Sequence, residues 1–153
     1  MPKIIVLGIG NEILTDEGIG IHAVRALEKE SLPENVELMA GGTAGIEMLP
    51  VIESAARLIV VDAIDAGAEP GAIFRFAPEE VNVIPAEYHL SAHQIGLTEM
   101  LYLAGEMNKL PETVIFGVQP QKNDWGLELT AEVAGKIPRI IELVKEEIHR
   151  TFL

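Results

Sequence analysis

The chain has 153 residues, 48% of them hydrophobic, which is one domain's length and too apolar for a disordered segment. Its 24 Asp and Glu against 11 Lys and Arg leave a net charge of -13 with no basic stripe, which excludes nucleic acid as a partner, and the absence of cysteine excludes disulfides, thiolate metal sites, iron–sulfur clusters and a cysteine nucleophile. No apolar run approaches the ~20 residues needed to cross a membrane, and the run Ile4–Ile9 is too short for an export signal, so the sequence reads as a cytoplasmic domain occupying residues 1–153.

Lys3–Gly8 is a β-branched apolar run that ends at glycine, the pattern of a strand buried on both faces. Asn11–Thr15 reads as a loop, and Gly18–Glu30 as a helix with Ile21, Val24 and Leu27 on its apolar stripe. Val36–Met39 is a short strand followed by a glycine turn at Gly41-Gly42, and Gly45–Ala55 is helical despite Pro50. Leu58–Val61 is a second buried strand ending at Asp62, and Ala72–Phe76 is the next. Only Asp65 to Pro70 separate Ile64 from Gly71, too few for a parallel crossover, so these two strands are expected to pair as an antiparallel hairpin. After a longer connection over Glu79–His89, Ser91–Glu106 reads as a helix and Thr113–Val118 as a last strand. Thr130–Leu153 carries Val133, Ile137, Ile140, Ile141, Val144 and Ile148 at helical spacing, with a kink expected at Pro138. The alternation predicts an α/β three-layer sandwich: a twisted, mostly parallel sheet with one antiparallel strand and helices on both faces.

Gly8-Ile9-Gly10 after the first strand invites a dinucleotide-binding reading, but Ile13 stands where the third glycine belongs and the second strand ends in Met39-Ala40 instead of an acid. Thr15-Asp16-Glu17-Gly18 has a structural explanation, with Thr15 as a helix N-cap and two acids at the positive helix end, worth about 0.3–1 kcal/mol. Asp62 adds a functional one. In a parallel sheet ligands bind outside the carboxyl ends of the strands, and Asp62 and the Asp16-Glu17 pair fall on that same rim. The connection from Ala77 to Leu90 is long enough to bring His93 to the rim as well, although a single histidine at a helix start is commonly a surface residue. Two carboxylates and an imidazole suit zinc, nickel, iron or manganese, and residue types alone do not choose among them. His89-x-x-x-His93 has the spacing of a zinc-protease helix but Leu90 in place of its glutamate, and no G-x-S-x-G is present, so hydrolysis by this chain would be metal-assisted.

The segment Gly8-Ile9-Gly10-Asn11-Glu12-Ile13-Leu14-Thr15-Asp16-Glu17-Gly18-Ile19-Gly20 resembles the N-terminal signature of the hydrogenase maturation endopeptidases. Gly41-Gly42-Thr43-Ala44-Gly45, Leu58-Ile59-Val60-Val61-Asp62-Ala63, Ser91-Ala92-His93-Gln94-Ile95-Gly96-Leu97 and the strand end Gly117-Val118-Gln119-Pro120 follow in the family's order. The resemblance implies an endopeptidase that removes a C-terminal extension from the large-subunit precursor of a nickel–iron hydrogenase once nickel has been inserted. It places the family's metal-contacting positions on Glu17, Asp62 and His93, as metal ligands and candidate catalytic residues. The metal it implies is nickel brought by the substrate, with no tightly held cofactor in the protease. One departure stands out: Ala40 precedes the Gly-Gly-Thr turn where many members have Asp. His89 has no counterpart and reads as a solvated loop residue.

Two other functions fit parts of the pattern. A phosphoacceptor receiver domain would use Asp16-Glu17, Asp62 and Lys122, but its acid pair lies directly at the end of strand one, its strand four ends in Ser or Thr, and it gives His93 no role. A nickel-binding chaperone without proteolysis would share the same ligands.

Overall fold

In the computed structural model, residues 2–42, 49–78 and 111–150 are described. The β-branched runs form the sheet: β1 (Ile4–Ile9), β2 (Val36–Gly42), β3 (Arg57–Ala63), β4 (Ile73–Phe76) and β5 (Glu112–Val118). Their order is β2-β1-β3-β5-β4. The first four neighbours run parallel and β4 runs antiparallel to β5. Every residue of β1 and β3 is buried, as continuous apolar runs in the middle of a parallel sheet require.

Val6, Ile59, Val61 and Phe116 line one face, against Ile19, Ala23 and Leu27 of helix α1 (Ile19–Leu27) and Ile140, Val144 and Ile148 of a C-terminal helix. Ile5, Leu7, Leu58, Val60 and Ile115 line the other, with Ile52 of helix α2 (Leu49–Glu53). Helices therefore cover both faces, and the expected three-layer α/β architecture is the one observed.

Four sequence expectations change in detail. β4 does not pair with β3, because β5 enters between them. The connection Ile64–Ala72 spans two strand spacings, about 10 Å, and passes over the end of β5. There Gly71 N donates to Gln119 O at 2.8 Å and Gln119 N to Ala72 O at 2.8 Å. A short link between opposed strands needs a reversal of direction but not adjacency. Gly41 and Gly42 belong to β2 instead of forming a turn after it. Asp62 lies within β3, which continues to Ala63. The C-terminal segment is two helices, α3 (Ala131–Ala134) and α4 (Ile137–Ile148), with Pro138 in the first turn of the second. Pro138 has no N–H to continue a ladder from α3, so the helix stops and restarts instead of bending. The helix expected over Ser91–Glu106, the connection Glu79–His89 and most of the turn at Gly41–Gly45 lie outside the described residues.

Candidate active site at the carboxyl rim of the sheet

The chain leaves β1 toward β2 on one side of the sheet, and β3 lies on the other. The carboxyl ends of β1 and β3 therefore flank the point where strand order reverses, the place where α/β sheets open a crevice. Both described candidate acids lie there. Asp62 is fully buried near the end of β3, and its Oδ1 accepts a hydrogen bond from Ala63 N at 2.8 Å. Glu17 is 8% exposed and belongs to a 3-10 turn, Thr15–Gly18, that packs against β3.

Glycine makes that approach possible. Gly10 has φ +149°, and a Cβ there would stand 2.1 Å from Glu17 O. A Cβ on Gly20 would stand 2.3 Å from both Ile9 O and Val61 O, so only hydrogen lets the start of α1 touch the ends of β1 and β3 together. The glycines of the N-terminal signature thus press the Glu17 turn onto the strand ends.

Asp16 and Glu17, paired in the sequence reading, separate in the structure. The Asp16 carboxylate is fully buried and accepts from Gln121 N (2.8 Å), Lys122 N (3.0 Å), Thr130 N (2.8 Å) and Thr130 Oγ1 (2.8 Å). It organises the segment after β5 and, with its acceptor positions so used, is not presented as a metal ligand or phosphoacceptor partner. Thr15 is no N-cap either. It lies inside the turn at φ +49°, and its Oγ1 donates to Asp124 O at 2.6 Å.

Gln119 is a further positioning residue. Its Oε1 accepts from Ala66 N at 2.8 Å and Ala68 N at 3.1 Å, while its Nε2 donates to Asp65 Oδ1 at 3.1 Å. It fixes the chain that leaves β3 just after Asp62. The sequence marked this strand end as part of a family pattern but carried no sign of what it holds. His93 and His89 lie outside the described residues, and among the described residues no cluster of three metal-ligating side chains assembles.

A family model described as hydrogenase maturation protease matches residues 21–147. The chain is 43% identical over 144 residues to the hydrogenase expression/formation protein HupD of Rhizobium leguminosarum bv. viciae, covering 92% of this chain and 71% of the relative. It is 37% identical over 145 residues to the hydrogenase 2 maturation protease of Escherichia coli (strain K12), covering 93% and 88%. The solved structure of the hydrogenase maturating endopeptidase HybD from E. coli aligns with a TM-score of 0.87 at 36% identity, covering 95% of this chain and 91% of that one.

Proposed function

The chain belongs to the hydrogenase maturation protease family and is a peptidase, and from that premise we propose that it removes the C-terminal extension of a nickel-loaded large-subunit precursor of a nickel–iron hydrogenase, in the cytoplasm. The observation that carries the reading is the pair of buried carboxylates, Glu17 and Asp62, at the reversal point of the sheet. The family resemblance adds His93 to them, which would make an oxygen- and nitrogen-donor set that leaves coordination positions to the substrate. The chain has no cysteine, so the soft thiolates that grip nickel strongly come from the precursor. Glu17, Asp62 and His93 then complete the coordination of an ion the precursor already holds, and metal insertion becomes a checkpoint for cleavage.

The test mixes the protein with nickel-loaded precursor and weighs the products. Two fragments whose masses sum to precursor plus one water are expected. Metal-free precursor in the presence of a chelator should be cut poorly. Glu17→Gln, Asp62→Asn and His93→Ala should each lower the rate by roughly two orders of magnitude or more. Efficient cleavage of metal-free precursor overturns the checkpoint, and an intact loaded precursor overturns C-terminal processing itself.

A further inference from the structure

Among the described residues, the large apolar side chains most open to solvent are Ile13 (42% exposed), Trp125 (79%) and Leu127 (69%). Ile13 is far in sequence from Trp125 and Leu127, but the two segments are joined by hydrogen bonds. Gly126 N donates to Ile13 O at 3.0 Å and Thr15 N to Gly126 O at 2.9 Å, making a parallel bridge between Leu14 and Gly126. Trp125 and Leu127 flank one partner of that bridge, and Ile13 precedes the other.

Burial of these side chains does not hold the loop in place. The Asp16 carboxylate does so, through two backbone N–H groups at Gln121 and Lys122 and both donors of Thr130, and the Thr15 hydroxyl adds a bond to Asp124 O. Polar anchors thus display an indole and two aliphatic side chains to water, beside an open cleft of about 420 Å³. A tryptophan displayed with aliphatic neighbours is the composition of an interface centre.

We propose that Ile13, Trp125 and Leu127 form the docking surface for an apolar segment of the large-subunit precursor. This rests on the endopeptidase reading above and extends it to substrate recognition. Continuity with the candidate site selects this occupant. Thr15, bonded to the Trp125 loop, is two residues from Glu17, a span of at most about 7 Å along the chain. A protein substrate seated over Glu17 and Asp62 therefore meets this loop. Asp124 and Glu128 border the patch against the single cation Lys122, and the chain carries a net charge of -13, so the complementary face is apolar with flanks that are basic on balance.

Trp125 is the only tryptophan, so 5-fluorotryptophan labelling gives a single 19F resonance at the patch. Adding nickel-loaded precursor should shift or broaden it. The double variant Trp125→Ala/Leu127→Ser, altered only at exposed positions, should raise KM about 30-fold and leave kcat within about twofold. If the unmodified protein cleaves the precursor and the double variant does so with unchanged kcat/KM, the docking surface is refuted and the protease reading stands. A fall in kcat at unchanged KM refutes it too, because the loop then only supports the site. A resonance that moves on dilution of the protein alone assigns the patch to a second copy and overturns the proposal. If the precursor shifts the resonance but is never cut, docking stands and the protease reading falls; if it neither shifts nor is cut, both fall.

Discussion

Asp16 shows how a side chain next to a candidate catalytic residue can serve structure instead. Its four hydrogen-bond donors lie 105 to 114 positions further along the chain. A local reading sees only an acid near a helix start, with Thr15 as the natural cap, and nothing in residues 11–20 announces the distant N–H groups. The position of Asp62 at the rim was legible because its signal is local and topological, an acid at the carboxyl end of a buried parallel strand. Glu17 was legible through the same rim but not separable from its neighbour. The distinction predicts different consequences of substitution. Asp16→Ala removes a fully buried acceptor from the N–H groups of Gln121, Lys122 and Thr130, and should cost about 2–4 kcal/mol of stability, read from urea unfolding midpoints. It should also open residues 121–130 to limited proteolysis. Unchanged stability and protease resistance would show that the loop has other anchors.

Among the elements, the central strands and α1 were readable because period and composition agree along their length. The neighbour of β4 was not readable. The segment Ile64–Ala72 encodes a reversal, but whether β4 joins β3 or skips a place depends on β5, whose residues come much later in the chain. The end of the sheet opposite the site holds a second feature hidden from the sequence. Glu147 of α4 (2% side-chain exposure) pairs with Arg57 at the start of β3 (5%), and with Arg75 of β4 at 2.5 Å. Arg57 Nη1 also donates to Glu147 O at 2.6 Å. The contact ties α4 to both β3 and β4. Nothing in the sequence pattern marks these residues, since their burial comes only from packing. Removing one partner of a buried pair leaves a charge in a poorly solvated place. Glu147→Ala should therefore cost about 3 kcal/mol, whereas the double replacement Arg57→Met/Glu147→Leu should recover most of that loss. A double variant as unstable as the single one would show that the pair itself, and not the stranded charge, carries the energy.

At the scale of the molecule, the balance of charge sets how the fold responds to salt. Among the described residues, Lys3–Glu37, Arg25–Glu12 and Arg139–Glu142 are exposed ion pairs and Lys145–Glu30 is a half-buried one. Each is worth between nothing and about 1 kcal/mol, and salt weakens it. Against them stands repulsion among the acids. Even with all 11 bases paired, the excess of 13 carboxylates has no cationic counterpart and is concentrated by folding onto a small surface. The repulsion sums over many pairs at distances of roughly 10–30 Å, the range over which screening changes between about 0.01 M and 0.1 M salt, while pairs in direct contact are screened less. Repulsion should therefore dominate the response. Raising sodium chloride from about 10 to 150 mM should move the urea midpoint upward, urea being uncharged and adding no ionic strength of its own. A midpoint that falls with salt would mean that the ion pairs outweigh the excess acids. The same field bears on the proposed substrate encounter, since the basic flanks inferred for the precursor would be drawn to an acidic protease most strongly at low salt. Over this salt range kcat/KM should fall as stability rises, and the fall should appear in KM with kcat unchanged.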